Sequence, residues 1–357
     1  MKINYDCLYF RGDIPCVPHK LRNVHCEGCL DYKKISRRVL IIKLGAMGDV
    51  IRTTPLVTKI LSEFPEAKIS WLTLTPEILP AENIHEILSF NLNSILYIQN
   101  TKWDWIINLD KDKEACALMS ICKAEKKSGF TLMNGVPAPV DELAEHKFYT
   151  GIFDDVSKKN TLSYPQEIFE ICGYIYNDEK ILLHNHADKN YIWNLDKTKP
   201  VIGLNTGCGG RWTTRLWSTE KWIELIQLLQ KNDVQILLLG GEQEDERNKI
   251  LQQKTGCIYF GYFSLQQFIN LVEQCTVVVT QVTMAMHISL GLQKRTVLMN
   301  NIFNPYEFNI SDKNGALIQP EKECKCFYKG SCVDGTSCME MLAASTVAET
   351  VMKQIPK

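Results

Sequence analysis

Short apolar runs along the chain alternate with segments of helical periodicity. The clearest example is Val39–Leu56, where four consecutive apolar residues precede a glycine-bracketed turn and then apolar positions at 3.6-residue spacing. This pattern is typical of a buried parallel strand, a tight turn and a helix. Open α/β sheets bind their ligands at the carboxyl ends of such strands. The stretch is therefore the first candidate site, and it contains one carboxylate, Asp49.

The same alternation continues through the first half of the chain. It predicts strands at Val39–Lys43, Lys68–Leu74, Ser94–Gln99, Trp105–Leu109 and Lys127–Phe130. It predicts helices at Asp49–Phe64, Ile78–Leu88, Lys113–Cys122 and Pro165–Tyr176. Because strands alternate with helices, we expect a parallel, doubly wound sheet.

A second α/β unit is predicted to start at Pro200, after a polar linker at Asn185–Lys199. Its predicted strands are Val201–Asn205, Val234–Leu239, Ile258–Phe260, Val277–Thr280 and Arg295–Leu298. Its predicted helices are Thr219–Gln230, Gln243–Lys254, Ser264–Gln274 and Met284–Leu292. A final helix at Thr346–Ile355 is a candidate to pack back across the first domain.

These patterns predict an α/β protein with two Rossmann-like doubly wound domains facing across a cleft, where binding sites are common. The expected regions are a cysteine-rich N-terminal segment at 1–36, a first domain at 37–190, a second domain at 198–320, and a cysteine-rich tail with the final helix at 321–357.

Composition narrows the class of protein. The formal charge is −1, which gives no electrostatic case for binding nucleic acid. The apolar runs are shorter than the roughly 20 residues of a membrane-spanning helix, and the N-terminus lacks the apolar region of a signal peptide. We therefore expect a cytoplasmic protein.

The chain has 14 cysteines, and four of them lie in the first thirty residues with the spacing C-x8-C-x9-C-x2-C. These four are Cys7, Cys16, Cys26 and Cys29. A segment with so little apolar surface needs a staple, which four thiolates around zinc, or secondarily iron, would supply. His19 and His25 are reserve ligands, and the alternative is free or merely packed thiols.

A second cysteine cluster near the end has the spacing C-x-C-x5-C-x5-C. Its members are Cys324, Cys326, Cys332 and Cys338. They can surround one structural ion, and the nearby lysines Lys322, Lys325 and Lys329 are expected to lower the pKa values of the thiols. A packed, reduced hairpin is the alternative, and a single site assembled from both clusters is also considered.

Asp49 has two interpretations. It lies at or just before a predicted helix N-terminus, where a carboxylate can cap free N–H groups. Alternatively, the turn places it in the cleft as a general base.

The loop after strand Val201–Asn205 contains three glycines, two arginines and two tryptophans before the next helix. Backbone N–H groups and guanidinium groups in such a loop suit a diphosphate, whereas the alternative is a flexible surface loop. Glu242, at the end of the next strand, could accept hydrogen bonds from a ribose diol, or it could simply begin the acidic first turn of a helix. His287 could bind phosphate or sugar hydroxyls, or it could be a histidine packed in the core.

Several of these motifs together resemble family 9 glycosyltransferases, the heptosyltransferases that build the lipopolysaccharide inner core, over about residues 38–345. The motifs are KLGAMGDVIRTTP at Lys43–Pro55, Arg215-Leu216-Trp217, Gly240-Gly241-Glu242 and Thr283-Met-Ala-Met-His287. The resemblance implies a GT-B fold with the acceptor on the first domain and the nucleotide-sugar on the second. It also implies that Asp49 is the base.

The predicted acceptor-loop residues are Lys43, Gly45, Gly48 and Arg52. The predicted donor-binding residues are Thr206, Gly207, Gly209, Gly210, Arg211, Arg215, Glu242, Thr283, Met284 and His287. The chain departs from the family pattern at Val282 and Met284, where Asp and Gly are usual, so it lacks a carboxylate expected near the donor. The cysteine-rich tail looks like that of a family subset.

We therefore expect an inverting glycosyltransferase that moves a sugar, heptose first, from a nucleotide-sugar such as ADP-heptose to a hydroxyl group. The acceptor is a glycan such as the lipopolysaccharide core, a lipid-linked glycan or a protein, and the family allows a peripheral contact with the inner membrane. No metal ion is expected at the reacting centre. The alternatives are a metal-stapled binding or assembly module without transfer activity, a protein O-glycosyltransferase, and an NAD-linked oxidoreductase, although the G-x-G-x-x-G signature is incomplete.

Overall fold

The computed structural model describes residues 1–187, 191–322 and 324–356. These residues form two compact units. Unit 1 contains Met1–Phe148 and Gln166–Lys180, and unit 2 contains Tyr149–Pro165 and Ile181–Lys357. The predicted linker Asn185–Lys199 includes residues 188–190, which lie outside the described residues.

Unit 1 is built on a six-stranded sheet with the order β3-β2-β1-β4-β5-β6, parallel except for the antiparallel β6. The strands are β1 Arg37–Ile42, β2 Ala67–Thr73, β3 Glu86–Ser89, β4 Trp103–Asn108, β5 Ala124–Met133 and β6 Val136–Pro139. The central strand β1 is buried from Val39 to Ile42, as its uninterrupted apolar run predicts.

The helices between residues 1 and 180 are α1 Val17–Arg22, α2 Met47–Thr53, α3 Pro55–Glu63, α4 Leu92–Gln99, α5 Lys113–Ile121, α6 Glu145–Thr150, α7 Asp154–Lys159 and α8 Tyr164–Ile171. The single helix predicted at Asp49–Phe64 is two helices. Pro55 is the first residue of α3, and its ring disfavours a continuous helix through the preceding turn.

Two other predictions in unit 1 were wrong. The predicted strand Ser94–Gln99 lies in helix α4, where the side chain of Asn91 accepts the Ser94 N–H and Ile98 is buried in the core. The predicted helix Ile78–Leu88 is a short 3-10 turn followed by β3, which pairs in parallel with β2. Pro80 lies between these two elements and disfavours a helix there.

Unit 2 has a five-stranded, fully parallel sheet with the order β11-β10-β9-β7-β8. The strands are β7 Val201–Asn205, β8 Gln235–Leu239, β9 Val277–Gln281, β10 Arg295–Met299 and β11 Gly315–Ile318. The helices are α9 Thr219–Leu229, α10 Asp245–Thr255, α11 Leu265–Glu273, α12 Met284–Gly291 and α13 Ala344–Gln354. The expected α/β architecture with two parallel-dominated sheets is therefore confirmed.

Two features of unit 2 differ from the prediction. Ile258–Phe260 is not a strand, since Ile258 makes only an isolated bridge to Leu237. The final helix α13 packs on α9 of its own unit, with Val347 and Val351 in the same buried cluster as Trp222 and Leu225. No helix in the three described ranges is long and apolar enough to cross a membrane.

Candidate functional site

The turn after β1 gathers charged side chains around Asp49. The helix α2 begins at Met47, so Asp49 lies within its first turn. Arg52 holds the carboxylate, with Nη2 2.8 Å and Nε 3.0 Å from Oδ1. Lys43 Nζ lies 3.9 Å from the other oxygen, Oδ2. Two cations thus lie beside Asp49, whose side chain remains 31% exposed.

Lys43 is itself fixed by the neighbouring strand. Its ammonium donates to the carbonyl of Gly45 at 2.6 Å and pairs with the carboxylate of Asp110. The second oxygen of Asp110 accepts the backbone N–H of Leu44. Asp110 follows β4, which pairs with β1, so the carboxyl ends of two parallel strands bring these groups together.

Asp110 and Lys111 were not predicted as site residues. Burial raises the pKa of Asp110, and Lys43 opposes that shift. Burial, followed by the nearby ammonium of Lys147, lowers the pKa of Lys111 to about 8. The signal available in the sequence was their position directly after an apolar strand, which is the position that Lys43 holds after β1.

The second group of predicted residues lies at the carboxyl ends of β7, β8 and β9, which are neighbours in the sheet of unit 2. The loop after β7 contains Thr206, Gly207, Gly209, Gly210 and Arg211. Thr206 is buried and its hydroxyl donates to Asn248 Oδ1 at 2.6 Å. Gly209 and Gly210 have open space around them, and Gly209 has the left-handed φ of +71°. The loop therefore leaves room for a ligand beside its backbone.

The two arginines of this loop differ. Arg215 is only 5% exposed, and its guanidinium donates to the carbonyl oxygens of Cys208, Trp212 and Val282. Arg211 is exposed and lies over the ring of Trp212, with the guanidinium carbon 4.9 Å from the ring centroid. Arg215 thus joins the β7 and β9 loops, while Arg211 is the exposed cation.

Trp217, one of the two tryptophans of the loop after β7, packs inside unit 2 and does not line a phosphate site. It is 1% exposed and packs edge-to-face against Trp222 in the core of unit 2. Its presence beside Arg215 is therefore explained by core packing. Trp212 is half-buried and contacts Phe303 edge-to-face.

Glu242 begins a short 3-10 turn after β8 and is exposed. The carboxylate nearest the β7 loop is Glu244, which accepts the Gly241 N–H at 2.9 Å and lies against Gly207. Arg247 donates to the carbonyl of Thr206 at 2.9 Å. Neither Glu244 nor Arg247 was predicted as a donor-binding residue. Glu244 immediately precedes α10, and Arg247 is the third residue of that helix.

Thr283, Met284 and His287 are brought to the same edge by β9 and α12. Thr283 immediately precedes the helix, and its hydroxyl lies 3.0 Å from that of Thr280 and 3.3 Å from Asn205 Nδ2. Met284 is the first helical residue and is exposed. His287 is buried in the first turns of α12.

The cysteine-rich tail packs in unit 2. The thiols of Cys326 and Cys338 are close enough to Cys324 to raise its pKa further after burial. The Cys326 N–H donates to the sulfur of Cys324, and the Val333 N–H donates to the sulfur of Cys326. Cys332 instead donates to the carbonyl of Thr336 at 3.2 Å. Three thiols of the tail are therefore neighbours, and the fourth is directed to a carbonyl.

The expected effect of the lysines on these thiols was wrong for Cys324. Burial raises its pKa to about 12, whereas Lys322 and Lys325 pair with Asp334 at 2.7 and 3.9 Å. In the described part of the chain, no three His, Cys, Asp or Glu side chains form a group that could hold a metal ion.

Comparison with known proteins identifies the family of the chain. The family model for glycosyltransferase family 9 (heptosyltransferase) matches residues 97–335, which is more than half of the chain. No curated protein sequence matches the chain.

Solved structures share the fold. A glycosyltransferase family 9 protein from Veillonella parvula has a TM-score of 0.69 at 15% identity, with 90% of this chain and 98% of that chain covered. The E. coli heptosyltransferase WaaC with ADP-2-deoxy-2-fluoro heptose has a TM-score of 0.60 at 16% identity, covering 88% and 99%. TibC, an iron-containing dodecameric glycosyltransferase of enterotoxigenic E. coli, has a TM-score of 0.51 at 10% identity, covering 90% and 76%. Because the family model matches more than half of the chain, the chain belongs to glycosyltransferase family 9.

Proposed function

We propose that the protein is an inverting glycosyltransferase that transfers heptose from ADP-heptose to a hydroxyl of a glycan such as the lipopolysaccharide core. Family membership supports sugar transfer, and the similar WaaC structure contains an ADP-heptose analogue. The observation that carries the proposal is the placement of Asp49, an accessible carboxylate held by Arg52 and Lys43 at the carboxyl end of β1.

In this mechanism Asp49 removes the proton from the acceptor hydroxyl. The oxygen attacks the anomeric carbon of the donor from the face opposite the diphosphate, and the bond from that carbon to the diphosphate oxygen breaks. ADP leaves with the bonding electron pair, and the configuration at the anomeric carbon inverts. Arg52 and Lys43 orient Asp49 before it accepts the proton.

The β7 loop of unit 2 supports a role in holding the diphosphate. Gly209 and Gly210 allow a ligand to approach the backbone, and the exposed guanidinium of Arg211 supplies positive charge. Arg215, through its three carbonyl partners, holds the loop in shape, so we assign it a positioning role. No step of the proposed transfer requires a metal ion.

The direct test is product analysis by mass spectrometry with ADP-heptose and a panel of acceptors. Asp49→Asn should lower transfer by about 100-fold or more, because the loss of a general base costs about that much. Calorimetry should show that this variant still binds ADP-heptose. Transfer at the wild-type rate by Asp49→Asn would remove Asp49 from the mechanism.

A binding or assembly module without transfer activity is the second candidate. The internal use of the Arg215 guanidinium, together with Val282 and Met284 in place of the usual family Asp and Gly, favours it. ADP-heptose that binds in calorimetry but is never transferred to glycan, lipid-linked glycan or protein acceptors would support this candidate. Transfer to a protein hydroxyl alone would instead identify a protein O-glycosyltransferase.

We further propose that the enzyme works in the cytoplasm, at most in peripheral contact with the inner membrane, as the family assignment implies. The tail is proposed to hold a structural iron or zinc ion through Cys324, Cys326 and Cys338, with Cys332 turning away from Thr336 to join them. Two of these sulfurs already accept backbone N–H groups, at 3.3 Å for Cys324 and 3.2 Å for Cys326. Metal analysis of Cys324→Ser should show the loss of this ion.

A further inference from the structure

The N-terminal segment 1–36 is ordered without an apolar core. Among these residues only Pro18 is buried, and several large apolar side chains are exposed. These include Met1, Ile3, Tyr5, Ile14, Val17, Leu21 and Leu30. Chains of fewer than about 40 residues that lack a core generally require a disulfide, a metal or a partner for stability. The segment therefore needs a source of order other than apolar burial.

The backbone brings the two ends of this segment together. Cys7 forms an isolated antiparallel bridge with Lys34. The Leu8 N–H donates to the Lys33 carbonyl at 2.8 Å, and the Ile35 N–H donates to the Asp6 carbonyl at 2.7 Å. This closure places Cys7 near residues more than twenty positions further along the chain.

A cavity of about 290 Å³ occupies the position where the segment would otherwise have a core. Its lining includes all four cysteines of the cluster and two histidines, namely Cys7, Cys16, His19, His25, Cys26 and Cys29. All four thiols are free and half-buried. Cysteines from three separate pieces of backbone thus line one partly open cavity.

The backbone around the thiols suits a metal knuckle. Cys26 and Cys29 flank a tight turn in which the Cys29 N–H lies 3.4 Å from the Cys26 carbonyl and Gly28 has a left-handed φ of +77°. Cys16 immediately precedes helix α1. The C-x2-C turn is the usual way in which a chain presents two sulfurs to one ion.

The two histidines are reserve ligands. His19 Nδ1 lies 2.9 Å from the carbonyl of Val24 and donates to it, which leaves Nε2 as the nitrogen that could bind an ion. The rings of His19 and His25 are stacked with centroids 5.6 Å apart. The four cysteines supply a complete tetrahedral set of sulfur ligands without either histidine.

We propose that Cys7, Cys16, Cys26 and Cys29 bind one structural Zn²⁺ ion in tetrahedral geometry. In the described residues the side chains do not yet converge as a metal group, so binding draws the sulfurs inward to about 2.3 Å from the ion and shrinks the cavity. Each thiol that binds releases a proton to solvent, and no electron is transferred. This proposal is independent of the proposed glycosyltransferase activity.

The test is analysis of the zinc and iron content of the full chain as purified and then desalted. Cys26→Ser/Cys29→Ser should lose one zinc ion per chain relative to the wild type. Cys257→Ala is the matched control, because Cys257 is buried in the core of unit 2 and its pKa is raised by burial. This control should keep the wild-type zinc content, as should Cys324→Ser if the tail holds iron.

A second measurement on the wild-type chain covers the case in which the cysteine variant fails to fold. Alkylation followed by peptide mass spectrometry should show that Cys26 and Cys29 react slowly with zinc present and rapidly after chelation. Equal zinc content in the double variant and the wild type would overturn the proposal. It would also be overturned by equal alkylation with and without chelator, by disulfides among these four cysteines, or by iron in place of zinc.

Discussion

Lys43 and Asp110 form a buried ion pair between the ends of the neighbouring strands β1 and β4, with side chains 5% and 7% exposed. The same ammonium lies 3.9 Å from Asp49, the proposed base. The pair therefore sets the position of one of the two cations beside Asp49. Because Asp110 also accepts the Leu44 N–H, it fixes the start of the turn as well.

Removing one member of this pair should be costly. Asp110→Asn leaves the ammonium of Lys43 buried without its carboxylate, and we expect the free energy of unfolding to fall by about 3 kcal/mol. Urea denaturation measures this loss. Asp112→Asn is the control, because Asp112 is exposed and its substitution should change stability by less than about 0.5 kcal/mol.

The double variant Lys43→Met/Asp110→Leu tests whether the loss of stability in Asp110→Asn comes from the unpaired buried charge. An apolar pair of similar size removes both buried charges, so this variant should be more stable than Asp110→Asn while its transfer activity remains low. A double variant less stable than the single one would show that the ion pair itself stabilises the turn.

Lys111 should make stability depend on pH in the alkaline range. Its pKa is lowered to about 8 in the folded chain, chiefly by burial, from 10.5 in an exposed lysine. The unfolded chain therefore binds the proton more tightly between these values, so folding stability rises with pH across that window. Relative to Lys111→Met, the wild type should gain about 2 kcal/mol between pH 8 and pH 10.

Unfolding of both proteins in urea at the two pH values provides this difference, in which the other titrating groups cancel. Lys113→Met is the control, because Lys113 is exposed. Relative to Lys113→Met, the wild type should gain no stability between pH 8 and pH 10. A difference between wild type and Lys111→Met that is flat with pH would contradict the lowered pKa.

Arg215 and Arg211 should respond differently to substitution. Arg215→Lys cannot serve three carbonyl oxygens with one ammonium, so we expect it to lose about 2 kcal/mol of stability and to bind ADP more weakly. Arg211→Ala should weaken ADP binding and leave stability unchanged, since its guanidinium is exposed. Calorimetry and thermal unfolding distinguish the two effects, and equal stability losses would refute the distinction.

Gly207 is required by the close approach of Glu244. A Cβ at position 207 would lie 1.9 Å from Glu244 Oε1, so Gly207→Ala must displace that side chain and break its bond to the Gly241 N–H. We expect a loss of about 1–2 kcal/mol, as for a broken hydrogen bond with local strain.

The additional substitution Glu244→Ala should recover part of this loss in a double-mutant cycle, because it clears the space that the new methyl group needs. Gly210→Ala serves as the control, since nothing lies within 4 Å of its Cβ position. Additive losses in the cycle would mean that Gly207 and Glu244 do not interact in this way.

Apolar patterning predicted the strands that are buried on both faces. The prediction for β7, Val201–Asn205, matches its observed ends, because every residue of that strand is buried. It failed at Ser94–Gln99, where isoleucine and tyrosine suggested a strand, yet Asn91 supplies a helix cap and Ile98 faces the core. Local capping outweighed the strand preference of those residues.

Local pattern shows which charged residues follow one strand, but not which residues of neighbouring strands pair with them. Lys43 and Asp49 follow the same strand, so the sequence shows both. The partnership of Lys43 with Asp110 depends on β4 lying beside β1, and that of Glu244 with Gly207 depends on β8 lying beside β7. Strand order is a tertiary property, and these partners therefore could not be read from local pattern.

Helix α13 supplies Val347 and Val351 to the same cluster as Trp222 and Leu225 of α9. During translation the earlier helix leaves the ribosome long before the later one. At about 5–20 residues per second, roughly ten seconds pass between the synthesis of Trp222 in α9 and that of Val347 in α13. The nascent second unit therefore leaves this apolar face of α9 uncovered until α13 has been synthesised.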